Sequence, residues 1–200
     1  MTNIVIVYYS TFGHVVKFAV TIREGINKVE GVTATIYHIP ETLSDDILSK
    51  MHAPPKVSYP IATPAVLKDA DGIIFGFPTR FGSLPAQIRA FFDSTGGLWA
   101  APGLESKPVG LFCSIGALGG GQETNAMTAL PFFTNHGMMF VPLGYRSRLL
   151  SNLEEIHGGS PWGCSTIAGP DGSRTPSELE LEIARVQGES FAEVTKKLAA

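Results

Sequence analysis

Cysteine is nearly absent from this chain of 200 residues, and the two that occur, Cys113 and Cys164, form no C-x-x-C pair. So few thiols, so far apart, exclude a disulfide framework and a thiolate metal centre; both read as reduced. Positive charge is also scarce: 15 Lys and Arg against 18 Asp and Glu leave a net charge of −3. That balance gives no footprint for a nucleic-acid backbone, and nucleic acid is excluded as a partner. No apolar run approaches the roughly 18 residues that span a bilayer, and no basic flank followed by an apolar segment opens the chain. A cytoplasmic protein without membrane attachment is therefore expected. The five histidines form no H-E-x-x-H pair, so no metal site is expected. G-x-S-x-G is missing, which removes a nucleophile-elbow hydrolase. G-x-x-x-x-G-K-[ST] is missing, and no G-x-G-x-x-G follows the first apolar run, which disfavours a P-loop nucleotidase and a dinucleotide fold.

What is present is an alternation of two periodicities. Hydrophobic residues make up 44% of the chain, enough for one domain spanning 1–200 with a full core. "NIVIVYY" (3–9) is short, β-branched and almost wholly apolar, as a strand covered on both faces should be. Residues 14–28 place Val15, Phe18, Ala19, Ile22 and Ile26 at helical spacing. Further strands are expected at 32–39, 72–77, 108–114 and 138–143, with helices at 84–94 and 122–135. The stretch 41–64 is interrupted by proline and reads as irregular, and Asp45 and Asp46 read as a solvated pair of carboxylates. "TPSE" proposes Thr175 as N-cap of a final helix, with Pro176 at its first position and Glu178 completing a capping box. Five strands alternating with helices predict an α/β fold, a mostly parallel sheet with helices on both faces. Ligands of such sheets lie beyond the carboxyl ends of the strands.

Three loops fall there. "STFGH" follows the first strand: Ser10 and Thr11 offer hydroxyls, Gly13 lets the backbone curl, and the next helix starts with unpaired N–H groups. This reads as a phosphate cradle without a cation, or else as an ordinary strand-to-helix turn. "PTRFGSLP" follows the third strand and "SIGALGGGQE" the fourth. Bare glycine N–H groups suit the edge of a flat polar ring, and Phe81 suits its face. A planar heterocycle carrying one phosphate fits all three loops.

The strings "YYSTFGH", "FPTRFGSLPAQIRAFFD", "TGGLWA", "GGGQE", "NHGM" and "PDGSRTPS" together resemble the WrbA family of FMN-dependent NAD(P)H:quinone oxidoreductases, nearly end to end. The resemblance implies a flavodoxin-like, doubly wound, five-stranded sheet of order 2-1-3-4-5. It implies bound FMN, NADH or NADPH as co-substrate, a quinone as acceptor and self-association into a homotetramer. It assigns Ser10, Thr11, Phe12, Gly13, His14 and Val15 to the FMN phosphate. Pro78, Thr79, Arg80, Phe81 and Gly82 go to the ring and ribityl neighbourhood. Ser114, Ile115, Gly116, Gly119 and Gly120 go to the other edge of the ring. His136 matches a histidine beside the flavin's pyrimidine side, and Trp99 an aromatic covering the substrate site. The alternatives are a helix C-terminal residue for His136, plain packing for Trp99 and a surface ion pair for Arg80.

Departures from the family pattern are local. Position 12 is Phe where Tyr is frequent, and the third loop reads Ile115-Gly116-Ala117-Leu118 where threonines are usual, one residue longer before Gly119-Gly120-Gly121. The segment 143–176, rich in glycine yet carrying Trp162, is expected to be an ordered loop against a neighbouring subunit. Ping-pong hydride transfer through flavin N5 is the expected mechanism. An electron carrier of the flavodoxin type and a non-enzymatic interaction protein are the rival functions.

Overall fold

A computed structural model describes residues 1–199. Its sheet is parallel throughout and follows the path β2-β1-β3-β4-β5, with β1 at Thr2–Tyr8, β2 at Val32–His38, β3 at Gly72–Pro78, β4 at Pro108–Ile115 and β5 at Met139–Phe140. The order 2-1-3-4-5 is the expected one.

Alternation along the strands sorts the core into two layers. Ile4, Ile6, Tyr8, Ile74 and Phe112 face α1 (His14–Ile26) and α7 (Glu178–Leu198). Val5, Val7, Phe75, Phe77, Leu111 and Cys113 face α4 (Ala86–Asp93) and α6 (Gln122–Asn135). The period of two in strand side chains puts one set on each face, so near-continuous apolar runs require cover on both. On the first face α1 and α7 touch backbone to backbone: a Cβ at Gly25 would lie 2.1 Å from the Arg185 carbonyl oxygen, and one at Gly188 would lie 2.2 Å from that of Ile22.

Two sequence expectations are corrected here. The strand expected at 138–143 shrinks to Met139–Phe140, because Pro142 has no N–H to continue the ladder. The segment 143–176 is not a loop throughout: it holds a 3-10 turn at Arg148–Ser151 and a sixth strand, β6, at Ser165–Ile167. β5 pairs with β4 only at Pro108–Val109, and β6 takes over the same edge at Cys113–Ile115. The fifth position of the sheet is thus one strand in two halves. Trp162, at the end of the intervening excursion, stacks on Phe140 of its own chain at 6.1 Å.

The start of α7 is also two residues later than the sequence suggested. Ser177, not Thr175, is the N-cap, and Glu180, not Glu178, closes the capping box. Within 41–64, α2 forms at Asp45–Lys50, and α3 follows at Pro64–Lys68. Asp46 pairs with Lys50 in water, as a solvated face requires. The remaining short helix, α5, spans Gly96–Ala100.

Candidate active site

The carboxyl ends of β1, β3 and β4 enclose a cleft of about 280 Å³. Its walls are Ser10, Thr11, Phe12 and His14 from the first loop, Pro78, Thr79 and Arg80 from the second, Ser114, Ile115 and Gly116 from the third, and residues 168–172 after β6. The last wall was missed by sequence reasoning: "AGPDG" is a glycine turn between elements until β6 carries it to the sheet edge.

Two helices point their first turns into this region, and both start in the same way. Gly13 (φ +91°) precedes α1 and Gly121 (φ +101°) precedes α6, each in the left-handed region and neither providing a side-chain cap. Such glycines turn the chain sharply and leave the first N–H groups and the positive end of the helix dipole open, the condition for binding an anion. In the first loop the Ser10 hydroxyl accepts from the Gly13 N–H at 3.0 Å, which leaves the Ser10 proton free to donate. Thr11 is committed differently: its hydroxyl donates to Tyr9 at 3.3 Å and accepts from Arg80 Nη2 at 3.1 Å.

Arg80 answers the question of a missing cation. It was open to reading as a surface ion pair, but it takes part in none of the ion pairs among the described residues. Its guanidinium donates to the Thr79 carbonyl and the Thr11 hydroxyl, at the lip of the cradle. Beside it, Phe81 (φ +54°) stands fully exposed, and Thr79 Oγ1 is buried without a hydrogen-bond partner. A buried hydroxyl normally has a partner. Thr79 lines the cleft, so its hydroxyl has the capacity to bond a polar ligand atom there. Thr79 also closes on the third loop: a Cβ at Gly121 would fall 2.7 Å from Gly82 Cα and 3.3 Å from Thr79 Oγ1. Of that loop, Gly119 (φ +68°) adopts a left-handed turn and Gly120 meets Ala117 through its backbone.

Residues 168–174 are held rigidly. Arg174 returns its N–H to the Ala168 carbonyl, and its own carbonyl lies 3.1 Å from His14 Nε2, so that nitrogen carries the proton. Arg174 Nη1 reaches both oxygens of Glu180 at 3.0 Å. Glu180 is fully buried and also accepts from the N–H groups of Gly158, Ile167 and Ser177 and from the Thr166 hydroxyl. One carboxylate therefore ties together β6, the cleft wall and the start of α7.

His136 and Trp99 are not in this cleft. His136 caps the C-terminus of α6, and the chain then enters β5 at Met139, opposite Pro108, the first residue of β4. The 14 residues of α6 cover about 21 Å at 1.5 Å each, which puts His136 at the opposite end of the sheet from the three loops. Thr95 gives its hydroxyl proton to the Phe92 carbonyl at 2.6 Å and accepts from His136 Nε2 at 2.9 Å. Burial lowers the imidazole's pKa, and Phe132 packs on the ring at 4.6 Å. Trp99, in α5 near Thr95, is 61% exposed. The family resemblance linked both residues to the site. The helix between Gly121 and His136 separates them from it in space.

The thiols stay inert. Burial pushes Cys113 up to about 12 and Cys164 well above its ordinary value.

Known proteins with this sequence pattern bear on what the cleft holds. A quinone oxidoreductase, QR2, of Triphysaria versicolor is 54% identical over 98% of this chain and 97% of its own. The NAD(P)H quinone oxidoreductase PST3 of Candida albicans is 53% identical over 98% of both chains. The crystal structure of a flavodoxin-type, WrbA-like protein from Agrobacterium tumefaciens superimposes with a TM-score of 0.70 at 25% identity, over 98% of this chain and 99% of that one. The pattern of the NADPH-dependent FMN reductase family matches residues 13–148. The chain belongs to that family, within its WrbA type.

The WrbA-type assignment can be tested against the cleft itself. An FMN reductase must seat a monophosphate and the polar edge of a flat ring. The open start of α1, the free Ser10 proton and the unpaired Arg80 suit the first; the partnerless Thr79 hydroxyl and the uncapped start of α6 suit the second. The residues fit the group.

Proposed function

We propose that this protein is an FMN-dependent oxidoreductase that passes reducing equivalents from NADH or NADPH to a quinone. The observation that carries the reading is the convergence of two uncapped helix starts and a buried, partnerless threonine on one cleft. Bound FMN supplies the exchange of hydride between a nicotinamide and a quinone.

The chain's own groups bind and orient. The first-turn N–H groups of α1, the Ser10 hydroxyl and the Arg80 guanidinium hold the phosphate. Charge-assisted bonds of this kind contribute on the order of 1.5–3 kcal/mol each. Thr79 and the backbone of Arg80, Phe81 and Gly82 would hold one edge of the ring, and Ser114, Ile115, Gly116, Gly119 and Gly120 would hold the other. The α6 N-terminus carries fixed partial positive charge that would stabilise a reduced, negatively charged ring held beside it, and a preoriented dipole needs no reorganisation.

Trp99 and His136 of the same chain stand at the far end of the sheet, so their roles at the substrate require a second copy. The exposed Trp99 indole and Phe81 ring are apolar contact surface at the two ends, which supports head-to-tail self-association, the tetramer of the resemblance included. Nicotinamide and quinone then take turns in one site, which predicts ping-pong kinetics with parallel lines in a two-substrate rate study.

The experiment is an anaerobic absorbance titration of the FMN-loaded protein with NADH or NADPH, followed by a benzoquinone. Bleaching by a nicotinamide and recovery with the quinone are expected. An FMN complex that neither donor bleaches is an electron carrier and overturns the reading.

A further inference from the structure

The proline-interrupted stretch that sequence reasoning left irregular delivers two side chains to the underside of the first loop. Lys56 Nζ donates to the Ser10 carbonyl at 2.9 Å and to Glu41 Oε2 at 2.7 Å, and lies 4.8 Å above the Tyr9 ring. Glu41 is the hub of this cluster. It also accepts from the Tyr9 hydroxyl at 3.0 Å, from Gln87 Nε2 at 2.9 Å and from the N–H groups of Thr42 and Leu43. Burial works to raise its pKa, but the bonds from Lys56, Leu43, Gln87 and Thr42 outweigh it and bring the carboxyl to about 2.

These contacts concern one peptide plane. The Ser10–Thr11 bond is trans, so the Ser10 carbonyl and the Thr11 N–H point in opposite directions. An anion is repelled by the first and attracted by the second. With the carbonyl held by Lys56 beneath the loop, the Thr11 N–H is turned away from Lys56, and it makes no hydrogen bond within the described residues.

Resting on the flavin reading above, we infer that Lys56, steadied by Glu41, is a positioning residue that locks the Ser10–Thr11 peptide with its N–H toward the FMN phosphate. The lysine does this through the Ser10 carbonyl, without itself lining the cleft. It acts on the phosphate and not on the ring, which separates the proposal from any general effect on folding.

The test is a titration of the purified protein with FMN and with riboflavin, which lacks the phosphate, followed by quenching of flavin fluorescence. Lys56→Met keeps the stem over Tyr9 and loses the donor; it is expected to raise the FMN dissociation constant about tenfold and to leave that of riboflavin within about twofold. Lys56→Arg, which retains a donor, is expected to recover most of the FMN affinity. Glu41→Gln decides between positioning and simple charge attraction. Removing a negative charge near a phosphate would by Coulomb's law tighten FMN, whereas loosening the lysine weakens it; weaker binding is expected. Unchanged FMN affinity in Lys56→Met, an equal loss for both flavins, or tighter FMN binding by Glu41→Gln would overturn the proposal. Wild-type protein that binds riboflavin as tightly as FMN overturns the flavin-phosphate reading and this inference with it.

Discussion

Helices α1 and α7 pack against each other on one face of the sheet, yet their first turns are treated in opposite ways. α7 starts at Ser177, whose hydroxyl accepts from the Glu180 N–H while the Glu180 carboxylate accepts from the Ser177 N–H, so the helix satisfies its own donors. α1 starts at a left-handed glycine with no side-chain cap, and so does α6. Of the three longest helices, α7 starts at a serine cap outside the cleft, whereas α1 starts at His14 on its wall and α6 starts at Gly121 beside Thr79, which lines it. In α7, which anchors β6 and the cleft wall through Glu180, two of the first-turn donors are closed from within. A helix whose job is to hold an anion leaves them open, because a bound ligand then completes the hydrogen bonding that the sequence withholds.

The largest effect is expected from breaking the closed start. Glu180→Ala leaves the half-buried Arg174 without its carboxylate and the buried N–H groups of Gly158 and Ile167 without an acceptor, a loss of about 3 kcal/mol measured as a shift in the urea midpoint. The cleft wall at 168–174 should loosen with it. Breaking the open start should act on ligand instead of fold: Ser10→Ala with Thr11→Ala is expected to raise the FMN dissociation constant at least tenfold, about 1.4 kcal/mol, with the urea midpoint nearly unmoved. An unaltered affinity would reassign the loop.

Gly13→Ala sharpens the contrast. A Cβ there meets nothing within 4 Å, so its only cost is the backbone at φ +91°, of order 1–2 kcal/mol. Wild-type stability would refute the assigned turn.

The smallest effect belongs to the far end of the sheet. Burial holds the folded pKa of His136 below its unfolded value of 6.5, so its contribution to stability is present above pH 6.5 and is lost as pH falls from there through the folded pKa. His136→Asn should flatten that part of the stability profile. His136→Ala is expected to slow quinone turnover while leaving FMN affinity within about twofold, since the residue is remote from its own chain's cradle. A tenfold loss of FMN would contradict that separation.

Much of the cleft was legible because it is built from local signals. Strand, tight glycine turn and helix can be read within "VYYSTFGHVV", and the helix expected at 122–135 is the one observed. What was misread depended on distant partners. Thr175-x-x-Glu178 and Ser177-x-x-Glu180 both spell a capping box, and the second wins because Glu180 alone is reached by Thr166, Gly158, Ile167 and Arg174. β6 was hidden because three residues carry little periodicity, and their strand character comes from the open edge of β4. Lys56 and Glu41 gave no signal, being 15 residues apart in an irregular stretch.

The sequence by itself determined the alternation of strands and helices, the parallel sheet and the three loops at its carboxyl end, since apolar periodicity and turn chemistry act over a few residues. Tertiary structure alone decided that Arg80 joins the cradle, that residues 168–172 complete the cleft, that Lys56 grips the Ser10 carbonyl and that His136 and Trp99 stand at the opposite end. Those outcomes depend on which long-range donors and acceptors meet once the core closes, and no local pattern encodes that meeting.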